Sequence, residues 1–180
     1  YEASLDRALE AAGYAELRAE QQRRRDAGDT TLLGIGVSVY VEITGGVGTL
    51  DEAAKIEIHP DGTGTLYTGT SPHGQGHDTA WSSIASAQTG IDIDQFTLVW
   101  GDTDLTPVGL GTMGSRSLQQ GGVAVHEAAI GLVEKARAVA ARLLEADVAD
   151  VVLDVSAGVF HVAGAPAVSK SWADLGAGSE

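Results

Sequence analysis

The sequence predicts an α+β domain in which mixed and antiparallel strands are layered with helices. Three observations carry this. Two β-rich runs flank a turn signal, His59-Pro60-Asp61-Gly62-Thr63. The helical runs place apolar residues at helical spacing, so one face of each is core. The segments follow one another as helix, three strands, helix, strand, long loop, helix and short strands, which is not the regular alternation of a doubly wound sheet.

Residues 1–28 read as a leading helix and 29–180 as the α+β remainder of a single domain. Ser4 is a candidate N-cap for a polar helix over about 4–27, with Leu5, Leu9, Ala12 and Leu17 on a broken apolar stripe and Gly28 as its stop. Arg23, Arg24 and Arg25 suit the negative pole of the helix dipole, so they read as a solvated helix end and not as a basic patch. Thr31–Ile43 is rich in Val, Ile and Tyr and reads as a strand. Gly45-Gly46-Val47-Gly48 reads as a flexible connection. Glu52–His59 alternates, with Ala54, Ile56 and Ile58 on one side, and pairs with Thr63–Thr70 as an antiparallel hairpin. A short helix over 75–89 ends at Gly90, and Phe96–Trp100 is a further strand. Gly101–Ser117 has no period. A loop of that length in a compact domain is usually functional. Leu118–Ala146 is a long helix with Val125, Ala128, Ala129, Leu132, Ala136, Val139, Ala140 and Leu143 on its core face. Strands at Val151–Val155 and Val159–Val162 follow, then a last turn near Trp172 capped by Ser169 or Ser171.

Composition removes several function classes. The chain has 180 residues, with 25 acidic and 11 basic, a net charge of -14. Non-specific nucleic-acid binding depends on clustered cations, so no nucleic-acid partner is expected. There is no cysteine, which excludes disulfides, cysteine-type zinc sites and iron–sulfur ligation by this chain. No run of about 18 apolar residues occurs, so no membrane span is expected. Tyr1-Glu2-Ala3-Ser4 is not the start of a signal peptide and has no initiator methionine, as expected of a processed or excised chain.

Two segments carry chemistry. Ser71-Pro72-His73-Gly74-Gln75-Gly76-His77-Asp78-Thr79 lies between a strand and a helix. Gly74 and Gly76 let the backbone approach a ligand closely. The free amides of the helix start favour an anion, and Gln75 can read a heterocycle edge or a phosphate. A glycine-rich turn without a ligand is the other reading. Gly109-Leu110-Gly111-Thr112-Met113-Gly114-Ser115-Arg116-Ser117 offers backbone donors, hydroxyls and one guanidinium to a polar or polyanionic ligand. Arg116 either clamps an anion bidentately or pairs with an acidic side chain. The formal G-x-G-x-x-G from Gly109 to Gly114 lacks the setting of a dinucleotide fingerprint, because Asp102, Asp104 and Pro107 separate it from the preceding strand. His73 and His77 are four apart, but Gly74 and Gly76 disfavour a continuous helix there, so no metal site on protein ligands is assigned. His59, His126 and His161 read as ordinary surface or half-buried residues. Asp102-Thr103-Asp104 reads as local turn hydrogen bonding.

At these segments the sequence resembles a known family. His73-Gly74-Gln75-Gly76-His77-Asp78-Thr79 is similar to the G-Q-G-H-x-T motif of the molybdopterin-binding subunit of the xanthine dehydrogenase family. Gly101-Asp102-Thr103-Asp104 followed by Gly109–Ser117 resembles the G-D-T…G-x-G-T-x-G-S-R-S motif of its aerobic carbon monoxide dehydrogenase branch. Gly34-Ile35-Gly36 and Tyr40-Val41-Glu42 fit that branch too. The resemblance covers nearly the whole chain. It implies the molybdenum-cofactor-binding part of a large subunit, as an internal fragment. It implies a molybdenum pyranopterin, in bacteria usually the cytosine dinucleotide, held by its dithiolene and not by protein thiolates. The implied partners are the rest of the large subunit, a flavin subunit, a [2Fe–2S] subunit and a small-molecule substrate, in the cytoplasm.

By motif match, Gln75 would hydrogen-bond the pterin, with His77 beside it, and Gly74 and Gly76 would permit close approach. Thr112, Gly114, Ser115 and Ser117 would line the cofactor near the metal, and Arg116 would support the loop or the pyrophosphate. The family's catalytic glutamate sits in a G-x-G-E motif that this sequence lacks, as it lacks the substrate loop of true carbon monoxide dehydrogenases. No catalytic residue is therefore assigned, and the isolated chain is expected neither to hold molybdenum tightly nor to turn over substrate. A non-catalytic ligand-binding module and a nucleotide-dependent reductase built on Gly109–Gly114 are the other two readings. Carbon monoxide, purines, aldehydes and N-heterocycles are all handled on this scaffold, so the substrate does not follow from the fold.

Overall fold

The computed structural model describes residues 1–45, 51–106 and 108–178. It forms two compact units, Tyr1–Glu42 and Ile43–Glu180.

In the first unit the leading helix is two helices, α1 (Glu2–Ala11) and α2 (Tyr14–Asp26). Gly13, at φ 63, breaks them apart, because a left-handed residue cannot continue a right-handed helix. Ser4 lies inside α1, whose N-cap is Tyr1. Gly28 does end α2. It is left-handed, its N–H bonds Arg25 O, and Asp29 N–H reaches back to Arg24 O, which is a Schellman closure. The arginine run is a solvated helix end. Arg23 and Arg24 both pair with Glu20, at 2.6 and 2.7 Å, and their hydrogen bonds hold the Glu20 carboxyl at about 2, below its ordinary value.

Thr31–Ile43 forms no strand. Strand-forming residues need a ladder partner, and among the described residues none is provided. Val37, Val39, Tyr40, Val41 and Ile43 are exposed instead. Of the glycine-rich connection at 45–48, only Gly45 is among the described residues.

Among its described residues the second unit holds two three-stranded sheets. β1 (Ala54–Ile58) and β2 (Gly64–Thr68) form the expected antiparallel hairpin, with Ile56 opposite Leu66. Its turn closes through Gly62 N–H on His59 O and Thr63 N–H on Asp61 Oδ1. Helix α3 (His77–Thr89) carries the chain over to β3 (Phe96–Val99), which pairs with β2 in parallel. Gly90, at φ 70, stops α3. The second sheet is antiparallel, in the order β4 (Val151–Asp154), β5 (Val159–Val162), β6 (Ala165–Ser171). β6 gives no sequence signal, since it is an exposed edge strand containing Pro166. Ser171, not Ser169, caps α5 (Trp172–Ala177), in a reciprocal pair with Asp174.

Helix α4 (Val123–Leu143) packs on elements of both sheets. It begins five residues later than the pattern predicts, because Ser117–Gly122 is a π-helical turn. Two core clusters lie along it. Leu66, Trp81, Ala85 and Val125 form one beside the first sheet. Ile91, Ala136, Ala140, Ala141, Val151, Phe160, Trp172 and Leu175 form the other beside the second. Val125, Ala129, Ala136 and Ala140 are buried as predicted, whereas Leu143 is exposed and Ala141 takes a core place. The α+β class with mixed and antiparallel sheets is the one expected.

Candidate functional site

The first glycine segment leaves the end of β2 under tight local control. The Thr68 and Thr70 hydroxyls are buried and bond each other at 2.9 Å. His77, only 3% exposed, opens α3 with its ring 4.7 Å from that of Trp81. Its Nδ1 faces Thr70 O at 3.4 Å, and its Nε2 lies 3.0 Å from Gln75 Nε2. The His73 backbone N–H donates to Gln75 Oε1. An amide nitrogen only donates, so His77 Nε2 must accept and the ring proton sits on Nδ1, directed at Thr70 O. The buried histidine therefore aims the glutamine. His73 is exposed on the same turn. Among the described residues no group of three His, Asp or Glu side chains is placed to hold a metal ion.

The second segment is anchored from within. Arg116 is buried, and Nη1 donates to Glu52 Oε2 at 2.5 Å and to Gly111 O at 2.9 Å. Of the two roles open to Arg116 in the sequence, the structure has the acidic partner. The guanidinium braces its own loop and does not line the cleft described below. Removing one member of such a buried pair costs about 3–5 kcal/mol, because the other charge is left uncompensated. Thr112 Oγ1 donates to Ser71 O at 2.7 Å and accepts from Ser117 Oγ at 3.0 Å, so these hydroxyls staple the two segments together. Gly109 lies against Gly69. A Cβ on Gly109 would stand 2.5 Å from the Gly69 Cα, so neither position admits a side chain.

Between the segments lies a cleft of about 330 Å³, lined by Gln75, His77, Thr112, Met113, Gly114, Ser115, Ser117 and Leu118. The structure thus brings six of the nine candidate residues to one concavity, puts Gly74 and Gly76 on the same turn as Gln75, and sets Arg116 apart as the brace. A larger hollow of about 590 Å³ beside Asp51, Gln119 and Glu127 does not join the two glycine segments.

The glycines at the cleft differ from Gly69 and Gly109. Gly74, Gly76, Gly111 and Gly114 are left-handed, at φ 98, 77, 80 and 54, yet a Cβ on any of them would meet nothing within 4 Å. Ser115, a non-glycine, is also left-handed at φ 54, which costs about 1–2 kcal/mol. The first turn of α3 has no side-chain cap, leaving amide donors there. Open left-handed backbone with free donors fits a polar heterocycle bearing anionic groups. The formal G-x-G-x-x-G does not make a dinucleotide turn. β3 ends at Val99, far before Gly109, and α4 does not start until Val123.

Sequence reading missed Glu52, Gly69 and Gly121, whose Cβ would strike the Thr70 side chain at 2.8 Å. A buried arginine demands an anion, but with 25 acidic residues nothing local singles out Glu52.

The chain is similar to known proteins over most of its length. The family model described as a molybdopterin cofactor-binding domain matches residues 7–179. The carbon monoxide dehydrogenase large chain of Afipia carboxidovorans is 37% identical, over 97% of this chain and 23% of its own length. That of Hydrogenophaga pseudoflava is 38% identical, over 97% and 23%. The solved Cu,Mo-CO dehydrogenase in its carbon monoxide reduced state superposes with a TM-score of 0.68 at 36% identity, covering 98% of this chain and 24% of that one. This chain therefore spans about a quarter of the length of the relatives it matches.

Proposed function

The chain belongs to the molybdopterin cofactor-binding domain family, and on that premise we propose that its two glycine segments cradle the pyranopterin of a molybdenum cofactor in an oxidoreductase of the carbon monoxide dehydrogenase type. The observation that carries the reading is the convergence of Gln75, Gly114, Ser115 and Ser117 on one cleft, with the left-handed Gly74, Gly76 and Gly111 next to its lining residues and open space at each.

Gln75, aimed by His77, is assigned to hydrogen-bond the pterin edge. Gly74, Gly76 and Gly114 admit it closely, Ser115 offers its hydroxyl, and the Thr112 and Ser117 hydroxyls, whose protons go to Ser71 O and Thr112 Oγ1, hold the loop in place around it. When bound, the cofactor supplies two-electron oxidation chemistry. The protein's part is binding, orientation and tuning. We assign no catalytic base to these residues. The finer assignments are proposals of the same kind: the cytosine dinucleotide form, electron-carrying flavin and [2Fe–2S] partner subunits, a small-molecule substrate and a cytoplasmic location. No helix among the described residues is long and apolar enough to cross a membrane.

The test uses the full-length complex. Molybdenum by elemental analysis and pterin by oxidative fluorescence are expected near one per copy of this chain, with Gln75→Ala retaining about tenfold less of both. A wild-type complex without pterin, or one binding NAD(P)H at this cleft, would overturn the proposal.

A further inference from the structure

We infer that Glu52, through Arg116, is a positioning residue for the cofactor loop, and that this buried pair fixes the shape of residues 109–117 before any ligand arrives. The inference rests on the reading of the cleft as a pterin site and adds a residue outside both motifs.

The geometry links one guanidinium to both ends of the problem. Arg116 Nη1 bonds the carboxylate of Glu52, 64 residues away, and also the carbonyl of Gly111. That second bond sets the peptide plane leading into Thr112, which is itself tied to Ser71 O across the cleft. Loop two is thus referenced to the start of the first sheet and to loop one together. Beyond the brace, the loop consists of conformations with little support of their own. Gly111, Gly114 and Ser115 are all left-handed, and a Cβ on either glycine would face open space.

The other carboxylate oxygen, Glu52 Oε1, is buried with no hydrogen-bond partner among the described residues. It sits where the side chains of Gly69 and Gly109 would fall, 2.3 and 2.4 Å from their notional Cβ atoms. A buried carboxylate oxygen without a donor is costly, and an apolar pair of similar volume commonly serves stability as well as a buried ion pair does. Stability alone therefore gives little reason to keep Glu52 and Arg116. Holding the backbone at Gly69, Gly109 and Gly111 in one register does.

The test compares Glu52→Gln with the double variant Glu52→Met/Arg116→Met in the full-length complex, measuring molybdenum and pterin per protein beside the melting temperature. Both variants are expected to lose about tenfold or more of the retained cofactor, while the double variant melts within a few degrees of wild type. The second result separates positioning from stability, because a merely stabilising pair would leave cofactor retention unmoved at matched melting temperature. A folded double variant with full molybdenum and pterin would overturn the inference while leaving the cofactor reading intact. A double variant that fails to fold would assign the pair to stability and overturn it too. A wild-type complex without pterin removes the underlying reading, and that outcome is read on wild type alone.

Discussion

Two regions of Ile43–Glu180 share helix α4 and differ in what fills the space beside it. Next to β4–β6, the core holds large side chains in conventional conformations, with Phe160 meeting Trp172 edge to face at 5.0 Å and Trp172 Nε1 bonding Thr89 O at 2.9 Å. Next to the start of α4 there are glycines, hydroxyls and one buried ion pair, with left-handed residues facing open space. In the first region Phe160, Trp172 and their neighbours are held by packing within the chain, while Glu145 and Gly164 at its edge are left-handed too, at φ 51 and 82. In the second, Gly74, Gly76, Gly111 and Gly114 use a left-handed backbone that glycine adopts at little cost, and of these neighbours Ser115 is the strained one, by about 1–2 kcal/mol. What distinguishes the second region is that open backbone, amide donors and hydroxyls lie together around one cleft.

The sharpest way to break this contrast is Phe160→Ala. It should cost about 3–5 kcal/mol in denaturant unfolding, as truncation of a buried aromatic does, and leave cofactor retention per folded molecule unchanged. Loss of cofactor from the folded fraction would show that the two regions are not separable.

Within the site region, Gly109→Ala and Gly114→Ala make a matched pair. The Cβ at Gly109 meets Gly69 and Glu52, so overpacking of about 1–3 kcal/mol adds to the strain of a side chain at φ 147. The Cβ at Gly114 meets nothing, so the cost there is the left-handed backbone, about 1–2 kcal/mol. Relative to its stability cost, Gly114→Ala should lose more cofactor. Equal loss in the two variants, measured by pterin fluorescence against melting temperature, would mean that the open glycines are not ligand-facing.

The smallest effect belongs to the first unit. The folded-state pKa of Glu20 is about 2, below its ordinary value of 4.5. Its contribution is therefore fully present above pH 4.5 and lost as pH falls towards 2. Because the pair lies at the surface and is screened by solvent, the change should be slight. Circular dichroism should show helix loss in that window, and Glu20→Gln should remove the pH dependence. An unchanged profile in the variant would shift the cause to another carboxylate.

How far each feature could be read ahead follows from where its cause lies. The Asp61-Gly62 turn, the stops at Gly28 and Gly90 and the Ser171 cap are encoded by neighbouring residues, so local chemistry announces them. The site segments were legible for the same reason, since each motif is a contiguous run. Thr31–Ile43 shows the limit of propensity. Its residues favour a strand, but a strand also needs a partner, and the described residues supply none. β6 shows the reverse, an edge strand made by pairing with β5 despite weak propensity. The break at Gly13 was local and could have been read.

The class of the fold, the two glycine segments and the family resemblance were carried by the sequence, because all three reside in short runs and their order. Only the tertiary structure decided that Arg116 pairs with Glu52 and bonds its own loop, that His77 turns inward towards Gln75, and that Glu52 stands opposite Gly69 and Gly109. Those outcomes depend on which of 25 acidic side chains shares a dry interior with one arginine. That choice is made by burial and long-range packing, to which spacing along the chain is blind.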